Sequence, residues 1–334
     1  MKLPTKADLQ NTFEEVSKSS YKGMKGVMHV QGASRRKFLL TVMTHGNEPS
    51  GLAAIHHLGN DPEMRKNLKG DLLIAINNMA AGAKYFEAKT QKEKRKYRRY
   101  EMNMNRLPED ILDRTSSSEP YEIRRAHELY PLYRTADVGL DIHSFFAKGD
   151  PMIIDIKGDT ADLDEMSDGI PLETRVMNIV PIQQGYPVGS LYGGLKNPIP
   201  VLEVETGRHQ DASSNQVSIE SFVATLMKTG FLEGDSEEAQ SVQKIYRVTG
   251  TVRFPDTSYR LLRRHQSFGA IQEGEVIAKG NGKPIVAALD CHTIFGVKNR
   301  KLTAADLKDE RMFLAAPMRE RMRKLLKPVL DRGN

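Results

Sequence analysis

Five short runs limit what this chain can fold into: KFLLTVMT (37–44), DLLIAIN (71–77), VGLDIHS (138–144), PMIIDI (151–156) and IPVLEVET (199–206). Each is nearly continuous in apolar or β-branched residues, as expected of strands buried on both faces. Helical patterns lie between them. PSGLAAIHHLGN (49–60) carries Pro49 where a first-turn proline belongs and Gly59 where a terminal glycine belongs. DPEMRKNL (61–68) opens on Asp-Pro, and 118–136 and 214–232 are amphipathic. Strands alternating with helices predict an α/β domain with a mostly parallel or mixed sheet.

The texture changes near residue 240. GDSEEAQSVQ (234–243) reads as a linker, and short strand-like runs follow, separated by Gly, Asn and Pro. The chain has 334 residues, enough for one large domain or two moderate ones. The expected division is 1–240, an α/β domain, and 241–334, a smaller all-β domain. The tail MRERMRKLLKPVLDRGN (318–334) is expected to end the second domain as a basic amphipathic helix.

No apolar run approaches the roughly 18 residues that span a bilayer, so no membrane association is expected. The polar start, MKLPTKADLQNTFEEV, lacks the apolar core of a signal peptide. The single cysteine, Cys291, excludes an internal disulfide and a Cys-rich zinc knuckle. A reducing cytoplasm is the expected location, and a metal would need His and carboxylate ligands. The net charge is +6, with a dense basic run from Lys89 to Tyr100. Because that run leads into a polar motif, it fits a small anionic ligand better than nucleic acid. Homo-oligomerisation is left open.

Polar motifs sit at the carboxyl ends of the predicted strands: His45-Gly-Asn-Glu48, Asn77-Asn78, His143-Ser144 and Glu205-Thr-Gly207. Ligands bind outside strand carboxyl ends in open α/β sheets. His45, Glu48 and His143 make a two-His, one-Glu set, a known catalytic zinc shell with a fourth position for water. Such a metal makes hydroxide available near pH 7. A carboxylate must then move the water's proton to the leaving group. Glu205 is expected in that role, with Glu203 expected on the opposite face of its strand. His56 and His57 lie in a predicted helix. His29, His127, His209, His265 and His292 show no partner pattern. Read singly, each motif also fits a structural role, such as a hydrogen-bonded histidine, a capped turn or a solvated basic loop.

Together HGNE (45–48), LDIHS (140–144), VLEVETG (201–207) and RRYEMNMNR (98–106) resemble the succinylglutamate desuccinylase/aspartoacylase family, a branch of the zinc carboxypeptidase-like fold. The similarity extends over about residues 35 to 317. Tyr246 to Val248 look like the start of that family's appended β domain, and 268–287 look like its lipoyl-like hairpins. The resemblance implies a mixed sheet flanked by helices, with a smaller C-terminal β domain that narrows the pocket. It implies one zinc ion per chain on His45, Glu48 and His143, with Glu205 as general acid/base. Arg99 would hold the oxyanion, and Asn105 and Arg106 would bind the α-carboxylate of a small anionic acyl amino acid. Adjacent Arg98 leaves the oxyanion role open between two arginines. Asn103 and Met104 replace the family's Asp-Leu, Asn77-Asn78 replaces its Asn-Pro, and Phe145 and Phe146 are expected near the metal. The leading expectation is a zinc amidohydrolase. The alternatives are a carboxypeptidase acting on small peptides and a non-catalytic ligand-binding protein.

Overall fold

The computed structural model describes residues 2–146, 149–155, 166–179, 185–188, 199–209, 211–234, 244–296, 307 and 312–318. A hairpin of β1 (Ser20–Tyr21) and β2 (Met24–Lys25) leads into β3 (Val27–Val30), β4 (Lys37–Val42) and β5 (Asp71–Ile76). There follow β6 (Val138–Phe145), β7 (Met152–Asp155), β8 (Thr174–Met177) and β9 (Val201–Arg208). The C-terminal part adds β10 (Lys244–Val252), β11 (Arg260–Leu261), β12 (Ala270–Ile271), β13 (Val276–Lys279), β14 (Ile285–Val286), β15 (Cys291–Thr293) and β16 (Met312–Pro317). One mixed sheet has the order β12-β15-β16-β10-β8-β7-β9-β6-β4-β5-β3. Its centre, β5-β4-β6-β9, is parallel, while β3 and β7 join antiparallel.

The five apolar runs are β4, β5, β6, β7 and β9, and they are apolar on both faces because helices cover both. Leu40, Val42, Ile74, Leu140, Ile142, Leu202 and Val204 pack against α1 (Lys6–Lys18), α2 (Leu52–Asn60) and α7 (Ala212–Lys228). Leu39, Leu73, Ala75 and Val201 face α6 (Tyr121–Thr135) through Ile123, Ala126, Leu129 and Tyr133. Towards the carboxyl ends that second face changes character: Thr41, Asp141, His143, Glu203 and Glu205 are buried there instead. Exchanging apolar for ionisable side chains costs desolvation, so the change marks a site rather than a core.

Some local expectations need correction. Gly59 does not end α2; it lies inside it. The stop comes from Asp61-Pro62, where the Asp61 carboxylate accepts from Met64 N at 2.9 Å and starts α3 (Pro62–Lys66). Helix α1 was not anticipated, although Thr5 and Asp8 form a reciprocal capping box at its start. Helices α4 (Met79–Glu87) and α5 (Gln91–Lys94), and the buried strand β16, were missed as well.

Beyond residue 244 the described residues are almost entirely strands and turns. They have a core of their own around Val252, Leu261, Ile271, Ile277 and Cys291. They also continue the main sheet, because β10 pairs in parallel with β8 and antiparallel with β16. The expected linker after Gly234 and the expected tail helix after Met318 lie outside the described residues. No helix among the described residues is long and apolar enough to cross a membrane.

Candidate metal centre and active site

The chain leaves β4 at Val42 and turns at Met43, whose φ of 54° is in the left-handed region. This throws His45, Gly46, Asn47 and Glu48 across the ends of the parallel strands. Gly46 is required by packing: a Cβ there would lie 2.4 Å from the backbone carbon of Ala81 in α4. Strand β6 supplies Asp141 and His143, and β9 pairs alongside with Glu203 opposite Asp141 and Glu205 opposite His143. Gly207, with φ at 101°, lies within β9 just beyond Glu205, where the pairing of β9 with β6 shifts register before Arg208 pairs with Phe145.

His45, Glu48 and His143, far apart in sequence, thus converge in a buried cluster able to hold a metal ion. His45 Nδ1 lies 2.9 Å from Glu48 Oε1, and His143 Nδ1 lies 3.0 Å from Glu48 Oε2. The outer ring nitrogens are already committed. His45 Nε2 is 2.9 Å from Asn103 Oδ1, which also accepts from Asn105 N at 3.0 Å and is therefore the amide oxygen. His143 Nε2 donates to Asp141 Oδ2 at 3.0 Å. Each imidazole thus spends its Nε2 proton outward and aims Nδ1 at one carboxylate. Oxygen partners behind metal-binding histidines fix the tautomer in this way.

The electrostatics leave room for a cation. Burial, then Arg98, holds His45 down to about 4, so its Nδ1 carries a bare lone pair. That atom has no hydrogen-bond partner among the described residues and faces a carboxylate oxygen. Burial would raise Glu48, but His45, Arg98 and His143 outweigh it and hold the carboxyl well below the usual range. Burial would lower His143, but Asp141 and Glu203 push it well above the ordinary histidine value. Two acceptors at 2.9 Å with no proton between them repel, and a divalent cation removes the conflict. The donor set of two imidazole nitrogens and a carboxylate suits zinc.

Glu205 is buried opposite His143, and its Oε2 has no hydrogen-bond partner among the described residues. Burial and the neighbouring Glu48 raise it well above the ordinary value, against the pull of His143. The expectation that Glu203 faces away is wrong. Residues two apart on a strand share a face, and Glu203 Oε2 lies 3.9 Å from His143 Nε2. Burial first, then Asp141 and Glu48, push Glu203 up to about 7, while His143 and Arg106 pull the other way. Asp141, His143 and Glu203 form a second cluster of ligand type, but it shares His143, whose Nε2 is held by Asp141.

Of the two arginines, Arg98 reaches the centre, donating from Nη1 to Glu48 Oε1 at 2.6 Å. Arg99 is half-buried at the end of the same 3-10 turn, Arg95–Arg98. Asn105 is buried, and Arg106 donates from Nη1 to its carbonyl at 2.7 Å. The Arg106 guanidinium stands 5.9 Å from the Phe313 ring on β16. Phe145 is a core residue that meets Phe295 edge to face, whereas Phe146 is exposed and lies under Arg95.

His209 was passed over in the sequence and belongs at the edge of this site. Its Nδ1 is 2.9 Å from Ser144 Oγ, its Nε2 is 3.4 Å from Asn47 Nδ2, and burial holds it down to about 4. Its two partners flank Glu48 and His143 in the sequence, a proximity that only the fold reveals. Asp141 and Glu203 were readable, because each lies two residues before a residue already singled out.

No curated protein matches the chain. Among solved structures, it is similar to succinylglutamate desuccinylase from Vibrio parahaemolyticus, with TM-score 0.63 and 16% identity over 88% of this chain and 86% of that one. Murine aminoacylase 3 gives TM-score 0.60 and 19% identity, covering 86% of this chain and 96% of that one. The ectoine utilization protein of Ruegeria pomeroyi gives 0.60 and 17%, with 87% of each chain covered. At these identities the likeness establishes a common fold. The family model for the succinylglutamate desuccinylase/aspartoacylase catalytic domain matches residues 34–155, the stretch that carries HGNE, the Arg98–Arg106 loop and LDIHS. Over that stretch, less than half of the chain, the sequence is similar to this family's catalytic domain.

Proposed function

We propose that this protein is a zinc-dependent amidohydrolase that cleaves the amide bond of a small N-acyl amino acid, giving a carboxylic acid and a free amino acid. The observation that carries the reading is the pair of histidine Nδ1 atoms 2.9 and 3.0 Å from the two oxygens of one buried carboxylate. His45, Glu48 and His143 would hold one zinc ion, with Asp141 and Asn103 orienting the imidazoles from behind. When bound, zinc supplies the Lewis acidity that brings a water's pKa towards about 7.

The rest of the chemistry belongs to the chain. Glu205 takes the water's proton on its free Oε2 and returns it to the leaving nitrogen, as the family resemblance implies. Its raised pKa suits a group that must hold a proton between those events. A guanidinium, Arg98 or Arg99, stabilises negative charge developing on the scissile carbonyl oxygen. Arg98 is favoured by its contact with Glu48. Asn105 and Arg106 receive the substrate's α-carboxylate, where paired guanidinium donors match a planar anion. The Phe313 ring of β16, 5.9 Å from the Arg106 guanidinium, supports a pocket narrowed by the C-terminal β segment, which favours a small acyl amino acid over a peptide. The lipoyl-like character of that segment and the division near residue 240 belong to the same proposal.

The test combines metal analysis with a substrate screen. Protein purified without added metal should contain about one zinc per chain, and His143→Ala should contain far less. The zinc-loaded protein should hydrolyse one of the N-succinyl, N-acetyl or N-formyl amino acids faster than any short peptide. Equal zinc in both proteins would remove His143 from the shell. Preferential release of C-terminal residues from peptides would establish the carboxypeptidase reading instead.

A further inference from the structure

The loop from Arg98 to Arg106 carries much of the proposed substrate machinery, yet Tyr100, Glu101 and Met102 form no regular structure. Their backbone N–H groups need partners, and all of them converge on one buried carboxylate. Glu122, in the first turn of α6 and fully buried, accepts from Tyr100 N at 2.7 Å and Glu101 N at 3.1 Å through Oε1. Its Oε2 accepts from Met102 N at 3.1 Å and Glu101 N at 3.2 Å. Asn78 Nδ2 adds a bond to Oε1 at 3.0 Å, while Asn78 Oδ1 caps α4 by accepting from Ala81 N at 3.0 Å.

The grip is reciprocal. Tyr121 N, at the uncapped start of α6, donates to the Glu101 carboxylate. The rings of Tyr100 and Tyr121 meet edge to face 5.5 Å apart. Each segment therefore satisfies the other's orphan N–H groups. The neighbours of the clasp on both sides are functional. Arg98 reaches Glu48, and Asn103 holds His45 Nε2, then Asn105 and Arg106 follow.

We propose that Glu122 is a positioning residue that clasps this loop, so that Arg98, Asn103, Asn105 and Arg106 are held ready before substrate arrives. The role needs a carboxylate. A glutamine has one acceptor oxygen, and its NH₂ would confront backbone donors. Geometry fixed in advance removes an ordering cost from binding and catalysis.

The kinetic arm of the test rests on the deacylase reading; the structural arm does not. Zinc-loaded parent, Glu122→Gln, Glu101→Gln and Glu128→Gln proteins are digested briefly with trypsin, and cleavage from Lys89 to Arg106 is timed by mass spectrometry. Glu128 is the control, because on the same helix it binds Arg125 Nη1 at 2.7 Å and is not part of the clasp. Glu122→Gln should be cut about tenfold faster or more in this segment, the effect of losing one charge-assisted hydrogen bond. Cleavage elsewhere, zinc content and melting temperature should stay near the parent's. Glu101→Gln should show a smaller increase, and Glu128→Gln none.

With the substrate found in the screen, kcat/KM of Glu122→Gln should fall about tenfold or more, and Glu122→Asp should recover part of it. Unchanged cleavage of the loop in Glu122→Gln would overturn the proposal. So would faster cleavage throughout the chain in proportion to a lower melting temperature. If Glu122→Gln does not fold, Glu101→Gln decides, and parental loop protection in that variant would overturn the clasp. A loosened loop in Glu122→Gln, beside a parent that hydrolyses no acyl amino acid, would leave the clasp standing and remove the deacylase reading.

Discussion

Glu203 and Glu205 are two buried carboxylates of one strand with different surroundings. Glu205 has an oxygen without a hydrogen-bond partner among the described residues, beside the candidate ligand His143, whereas Glu203 looks at His143 Nε2 from 3.9 Å. Glu205→Gln should therefore keep its zinc and lose about 10²–10⁴-fold in turnover, the usual contribution of a general acid–base group. Glu203→Gln should retain most of the activity. Steady-state rates and zinc content of the two variants decide it; a dead Glu203→Gln beside an active Glu205→Gln would exchange the roles. The candidate ligands were legible as residue types at strand ends. His209 was not, because its partners Ser144 and Asn47 come from other segments and no spacing announces them.

Elements place these residues, and small polar clamps hold the elements in register. Asp71 opens β5, accepting from Gly32 N at 3.0 Å and lying 3.1 Å from His29 Nε2. Burial opposes its ionisation, but the Gly32 N–H and His29 prevail and hold its carboxyl below the ordinary value. A carboxylate whose folded pKa is depressed stabilises the fold above its unfolded pKa, and that stability is lost as pH falls through the folded value. Asp71→Asn should thus cost about 1 kcal/mol at pH 7. The difference from the parent should begin to narrow below about pH 4, the unfolded value, and close once pH has fallen through the lower folded value. Urea unfolding at pH 7 and pH 3 measures it, and a gap of equal size at pH 3 would refute the clamp. The five buried strands were readable because parallel strands covered on both sides admit few polar residues. Helix α4 and strand β16 escaped because their patterns are short and only their packing shows what they are.

At the scale of the whole molecule, the candidate metal cluster of His45, Glu48 and His143 ties β4, β6 and the Arg98–Arg106 loop together, so on the proposed function metal binding should stabilise the fold. Zinc at a hundred times its Kd contributes about 2.7 kcal/mol. That corresponds to a rise in melting temperature of roughly 4 °C. Calorimetry of chelator-treated protein with and without added zinc tests this, with His143→Ala as the protein in which the rise should vanish. An equal rise in His143→Ala would place the stabilising ion elsewhere.

The sequence by itself determined which segments become strands and which polar residues end them. The expectation that Glu203 faces away from Glu205 failed because residues two apart on a strand share a face, and Glu203 stands 3.9 Å from His143. Only the tertiary structure decided which of these meet. The parallel register of β4, β6 and β9 sets His143 opposite Glu205 and brings His45 and Glu48 to them. The 3-10 turn before Arg99 turns Arg98 towards Glu48. Glu122 finds its loop about twenty residues away by way of a helix start. Such encounters depend on how elements dock, which is fixed by burial summed over the whole core and has no signature within any one segment.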